Sequence, residues 1–69
     1  MTDVTFVIVE STGPRSITEP RHVAINRIKQ QAREHGLFVH IDAQRVDADS
    51  LMEEDLDGEI MLVHQPIGG

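Results

Sequence analysis

Residues 57–69 read DGEIMLVHQPIGG, an acidic turn followed by an apolar run and a closing pair of glycines. The Asp-Gly pair at the start is a turn signal, and residues 59–64 have the composition of a strand. Neither Gly68 nor Gly69 has a side chain that a core could use. We therefore predict a final strand that continues into a thin tail ending in an α-carboxylate.

Two strands are predicted at the other end of the chain. Residues 4–9 are rich in β-branched side chains and end at a turn cluster over residues 11–14. Both faces of this strand are apolar, so the pattern does not decide which one points inward. Residues 15–18 are long enough for a second strand that pairs back on the first as a hairpin.

A helix is predicted over residues 21–35, where apolar residues recur at the spacing of one buried helix face. The residues of this stripe are Ala24, Ile25, Ile28 and Ala32. We expect Thr18 to cap the first amides and Pro20 to occupy the first turn. Gly36 is placed for a left-handed C-cap.

The segment between the helix and the final strand is less regular. Residues 37–41 predict a third strand, residues 42–45 a polar turn, and Val46 the start of a brief return strand. Residues 47–57 are acidic, with three apolar residues expected to plug the core: Leu51, Met52 and Leu56. The element order predicts an α+β fold in which a four- to five-stranded mixed sheet carries one helix packed across it.

Composition narrows the class of protein. Sixty-nine residues make one small domain, and the absence of cysteine excludes disulfides, a cysteine nucleophile and thiolate metal sites. No signal peptide and no run of about 18 apolar residues is present, so we expect a cytoplasmic protein that does not enter membranes. The sequence contains no catalytic motif and predicts no cofactor or metal site. It predicts a substrate or carrier, not an enzyme.

Charge predicts the kind of partner. The net charge of −6 argues against nucleic acid and favours a basic protein partner. Eight of the twelve acidic residues fall between residues 42 and 59, whereas four of the six cations lie between residues 21 and 33. We expect the acidic half to dock on that partner.

The element order and residues 57–69 together resemble the ubiquitin-like β-grasp superfamily, which includes ubiquitin and the sulfur carriers of thiamine and molybdenum-cofactor synthesis. The acidic-glycine-acidic turn, apolar strand and diglycine are similar to those of the sulfur carriers. Residues 39–46 are similar to the strand–turn–strand that follows the helix in these families. The resemblance implies a β-grasp domain over residues 1–64 and a flexible tail over residues 65–69.

The tail also departs from these families. Sulfur carriers usually have a small residue before the diglycine, where this chain has Ile67. Ubiquitin has arginines in its tail, where this chain has Gln65 and Pro66. The resemblance therefore implies a dedicated activating enzyme.

Three functions remain open at this point. In the first, a ubiquitin-activating-type enzyme uses ATP to adenylate Gly69, and a downstream conjugating enzyme joins it to amines of target proteins. In the second, a sulfur-transfer enzyme converts Gly69 to a thiocarboxylate for thiamine, molybdopterin or tRNA thiolation. In the third, the protein is a non-covalent β-grasp binding subunit. In each case we expect the free protein to be a monomer.

The candidate site residues fall into three groups. Gly68 and Gly69 are the residues that are activated or conjugated. If Ile60 and Leu62 face the helix, Met61 and Val63 face outward as an apolar recognition patch. The remaining partner-binding candidates are Gln65, Pro66 and Ile67 in the tail and Glu53, Glu54 and Asp55 in the acidic segment.

Overall fold

The computed structural model describes residues 3–64, which form a five-stranded mixed sheet with one helix packed against one face. The strands are β1 (Asp3–Glu10), β2 (Gly13–Pro20), β3 (Phe38–Ile41), β4 (Gln44–Val46) and β5 (Ile60–Val63). The helix is α1 (Arg21–His35), and two 3₁₀ turns follow β4 (Ala48–Ser50 and Glu53–Asp55). The predicted α+β class, with one helix on a mixed sheet, is confirmed.

The strands lie in the order β2-β1-β5-β3-β4. β1 and β5 are parallel, and every other neighbouring pair is antiparallel. β5, the last element of residues 3–64, therefore lies in the centre of the sheet with a hydrogen-bonded neighbour on each side. The end of β5 is therefore held by strand pairing on both sides.

Alternation along β1 settles which of its faces is inside. Val4, Phe6 and Ile8 are buried, and Phe6 is fully enclosed. They share a core with the helix stripe, with Ile60 and Leu62 of β5, and with the segment after β4. Burial of each large side chain contributes about 1.5–3 kcal/mol, so this one face supplies most of the stability of a small domain.

The helix has the predicted bounds and buries the four predicted residues. Gly36 has φ 63° and ψ 33°, and its N–H donates to the carbonyl of Ala32, as a left-handed C-cap requires. The predicted cap at Thr18 is wrong, because β2 stays paired with β1 as far as Pro20. Thr18 Oγ1 instead lies 2.8 Å from Thr5 Oγ1, and Pro20 occupies the N-cap without a side-chain hydrogen bond.

The acidic loop, which we define as residues 47–57, contains both 3₁₀ turns. Leu51 and Leu56 are buried as predicted, but Met52 is 56% exposed, so its prediction as a core residue is wrong. Met52 stands at the start of the second 3₁₀ turn, where its backbone N–H donates to Asp55 Oδ2 at 2.9 Å. The two leucines on either side of the turn reach the core, and the methionine between them points to solvent.

Candidate functional site

The sheet has a second apolar surface opposite the helix, which we call the outer sheet face. Strand alternation assigns six side chains to it: Val7, Val9, Phe38, His40, Met61 and Val63. Met61 pairs in register with Val7 on one side and with His40 on the other, and Val63 pairs with Phe38. These residues therefore form a continuous surface across the three central strands.

Exposure differs sharply within the outer sheet face. Val63 is only 8% exposed and His40 only 2%, whereas Met61 is half-buried. Both predicted residues of β5 lie on this face, but Val63 offers a partner little surface. Most of the exposed apolar area comes from Met61 together with Val7, Val9 and Phe38, which are also half-buried.

One edge of the outer sheet face is positively charged. The guanidinium carbon of Arg45 lies 4.5 Å from the centroid of the Phe38 ring, within cation–π range. The contact holds a cation beside a half-buried aromatic ring. Sequence reasoning missed Phe38 and Arg45 as surface residues, because placing them requires the pairing of β3 with β4 and β5.

The acidic loop is fixed to the start of α1 by one arginine. Arg21 Nη1 donates to the carbonyl oxygen of Glu53 at 2.6 Å, and Nη2 donates to Asp57 Oδ1 at 2.8 Å. The Asp55 carboxylate accepts a hydrogen bond from the N–H of Met52. Asp55 therefore has a structural role in addition to its negative charge.

Glu53 and Glu54 differ from Asp55 in this respect. Both are exposed, and within residues 3–64 neither carboxylate makes an ion pair or a hydrogen bond. Because their charges are not neutralised by the fold, these two glutamates are the part of the predicted docking surface that remains available to a basic partner.

The glycine of the acidic turn before β5 is explained by packing. A Cβ added to Gly58 would lie 2.5 Å from Asp42 Oδ2. Asp42 Oδ1 accepts a hydrogen bond from the N–H of Glu59 at 2.9 Å, and the N–H of Asp42 donates to the Glu59 carbonyl at the same distance. The turn therefore needs glycine so that Asp42 can join the β3–β4 turn to the start of β5.

The predicted tail residues Gln65, Pro66, Ile67, Gly68 and Gly69 lie outside the described residues. They follow His64, which is exposed at the end of the central strand. Within residues 3–64, no cluster of three or more histidine or acidic side chains is arranged to bind a metal ion. Over the same range, α1 is not long and apolar enough to cross a membrane.

No protein-family model, curated protein or solved structure matches this chain. The functional argument therefore rests on the geometry above and on the sequence of the tail.

Proposed function

We propose that this protein is a ubiquitin-like modifier with a β-grasp fold, and that its Gly69 is conjugated to amines of target proteins. The parallel pairing of β1 with β5 at the centre of the sheet, with one helix on one face, supports the β-grasp assignment. The functional proposal depends on one observation: in the sequence, a single residue, His64, separates the central strand β5 from the five residues that end in the diglycine. The carboxylate is thus attached to a rigid base by a short tether.

The tether sets how far the reacting group extends. At roughly 3.3 Å per extended residue, residues 65–69 span at most about 16 Å. Side-chain-free glycines suit the narrow channel of an adenylating enzyme. Pro66 restricts the backbone and lowers the entropy cost of ordering the tail on binding.

The chemistry requires activation because a carboxylate is a poor electrophile. One oxygen of the Gly69 carboxylate attacks the α-phosphorus of ATP in the activating enzyme, and pyrophosphate leaves. A cysteine thiolate of the partner then displaces AMP to give a thioester. A target amine displaces that thiolate, loses a proton and forms an isopeptide bond. The ATP and the cysteine both belong to the partner enzymes, and this chain supplies the acyl group.

Recognition is assigned to two surfaces. The outer sheet face offers half-exposed apolar side chains beside the base of the tail, and methionine at its centre adapts to different partners. Glu53 and Glu54 attract a basic enzyme surface and raise the rate of encounter. Both surfaces lie within the described fold, so they can be tested without altering the tail.

The second candidate is a sulfur carrier with a thiocarboxylate at Gly69. Residues 57–69 favour it through their similarity to the sulfur carriers. The close approach of Asp42 to Gly58 gives the turn a packing role that either function would need. Support for the carrier therefore comes from the sequence similarity of this turn and not from its packing, whereas Ile67 before the diglycine favours the modifier.

Intact mass spectrometry separates the candidates. The protein is incubated with ATP, a sulfide source and host extract, and a matched sample lacks Gly69. Adducts that resist thiol reductants and contain a Gly69 isopeptide support the modifier. Replacement of one oxygen by sulfur supports the carrier, and an unchanged mass would leave only the non-covalent subunit. Deletion of Gly69 abolishes either modification while Tm stays constant, since a glycine has no side chain to contribute to a core.

The docking surface has its own test. The double change Glu53→Lys and Glu54→Lys weakens binding to the activating enzyme by about tenfold or more, because two attractive contacts become repulsive. Asp55 is left in place since it caps Met52. Asp3→Lys is the control, an exposed acid on β1. Equal affinities for the double variant and the parent would remove the acidic loop from the recognition surface.

A further inference from the structure

A groove lies between the second half of α1 and the β3–β4 edge of the sheet. Its volume is about 780 Å³, and its lining includes the buried side chains of Ala32 and Leu37 and the half-buried Val46. Three cations line it: Lys29, Arg33 and Arg45. Asp47 and Asp49 also line it, so three cations and two carboxylates leave a net charge of +1 in a chain of −6.

The cations of the groove differ from the others in this protein. Arg15, Arg21 and Arg27 each pair with a carboxylate, respectively from Glu10, Asp57 and Glu19. Within residues 3–64, none of the three groove cations makes an ion pair. The three cations without an ion pair thus line one groove, in which Arg45 also stacks on Phe38 and two carboxylates reduce the net charge to +1. A net positive charge beside apolar side chains suits a ligand that carries negative charges next to an apolar group.

This protein itself exposes a segment with negative charges beside an apolar side chain. Residues 52–54, which we call the anchor segment, carry the exposed Met52 followed by Glu53 and Glu54. Arg21 holds the carbonyl of Glu53, and Asp55 holds the N–H of Met52, so the backbone is fixed before any partner arrives. A pre-organised segment has a lower ordering cost on binding, and an unbranched methionine fills an irregular pocket well.

The anchor segment does not occupy the groove of its own chain. Arg21 fixes Glu53 at the first residue of α1, whereas Lys29 and Arg33 lie eight and twelve residues further along the helix. At 1.5 Å per residue, that separation along the helix is about 12–18 Å. Residues 47–49 of the acidic loop line the groove, but none of residues 52–54 does. An occupant with this chemistry must therefore come from another molecule.

We propose that the groove binds the anchor segment of a second copy of this protein. Met52 packs on the apolar lining, and Glu53 and Glu54 lie against the groove cations. The contact joins two different surfaces, so two copies engage reciprocally or in a head-to-tail chain. The proposal does not require Gly69. It gives Glu53 and Glu54 a contact in addition to their proposed docking on the activating enzyme, and it replaces the expectation that the free protein is a monomer.

Sedimentation equilibrium of the full chain tests this association. At about 20 mM salt, the average mass rises above that of the monomer between about 0.05 and 2 mM protein, and it falls again at about 300 mM salt as rim charges are screened. Lys29→Glu with Arg33→Glu weakens the association at least about tenfold. A monomer mass throughout the low-salt series, or an unchanged association in the double variant, would overturn the proposal.

A charge exchange tests the specific pairing. The variant with Lys29→Glu and Arg33→Glu, which we call the groove variant, is mixed with a second variant carrying Glu53→Lys and Glu54→Lys. Circular dichroism and Tm confirm that each variant is folded. Each variant alone is monomeric, whereas the mixture associates, because an acidic groove now meets a basic anchor segment. Arg15→Glu is the control, a cation outside the groove whose change leaves the parental association intact. Failure of the mixture to associate, or equal loss in the control, contradicts the assigned contact.

Discussion

The helix and the acidic loop illustrate two ways in which a short sequence specifies structure. In α1 the apolar spacing and Gly36 are local signals, and the helix has the bounds they predict. The acidic loop is shaped by the local hydrogen bonds of its two 3₁₀ turns, but its attachment to α1 depends on Arg21, which lies 32 residues before Glu53. Regular elements can be derived from periodicity, whereas the position of this loop against α1 depends on hydrogen bonds from one residue that is distant in sequence.

The largest effect is expected in the helix. Ile28→Ala removes a fully buried side chain and lowers the free energy of unfolding by about 2–4 kcal/mol, because a cavity remains in the core. Met52→Ala in the acidic loop changes the free energy by less than about 0.5 kcal/mol, since Met52 is exposed. Urea unfolding followed by circular dichroism measures both. Similar losses for the two variants would contradict the assignment of Met52 to the surface.

Gly58→Ala is expected to cause the next largest loss of stability. The new methyl group meets the Asp42 carboxylate, which must move and give up its bond to the N–H of Glu59. We expect a loss of about 1–2 kcal/mol. The same measurement in an Asp42→Ala background shows whether the carboxylate is the cause. If Gly58→Ala lowers the free energy of unfolding as much in that background as in the parent, the clash is not with the Asp42 carboxylate.

Arg21→Gln removes the attachment between the two regions. Two hydrogen bonds to the acidic loop are lost, at a cost of about 1 kcal/mol for a partly exposed group. Hydrogen exchange of the Asp55 and Leu56 amides accelerates, while that of the amides in residues 24–32 does not. Arg33→Gln on the same helix is the control without a carboxylate partner among residues 3–64. Uniform acceleration in both regions would show that the arginine does not act locally.

The smallest effect concerns the contact between Glu19 of β2 and Arg27 of α1. Arg27 Nε and Nη2 donate to the Glu19 carboxylate at 2.5 and 3.0 Å. These bonds lower the pKa of Glu19 below its usual value, against a smaller opposing effect of burial. The pair therefore stabilises the fold above the unfolded pKa near 4.5, and this contribution is lost as pH falls through the lowered folded pKa. Arg27→Gln removes this part of the pH dependence, which urea unfolding between about pH 2 and 6 measures.

The sequence predicted those elements whose apolar periodicity or terminating residues are visible in the local sequence. The stripe from Ala24 to Ala32, the β1–β2 hairpin and the final strand follow from side-chain alternation and turn residues. It did not predict that Thr18 lies within β2 and pairs with Thr5, because the length of a hairpin depends on both of its strands. Nor did it separate Met52 from its buried neighbours Leu51 and Leu56, since a 3₁₀ turn has no long apolar period.

The candidate site was predictable to a similar degree. Alternation placed Met61 on the outer sheet face, but the burial of Val63 depends on its neighbours across the sheet. Val7 and Val9 could be assigned to that face only once Phe6 was known to point inward. The unpaired cations of the groove come from α1 and β4, and no spacing in the sequence connects Lys29 with Arg45.

The central claim is that the carboxylate of Gly69 is the reacting group, and blocking it is the most direct test. One alanine is appended after Gly69, intact mass confirms that it is retained, and unfolding confirms an unchanged fold. In host extract with ATP, we expect the extended protein to form no adducts, while the parent chain forms thiol-resistant ones. Equal conjugation of the two proteins would contradict the account.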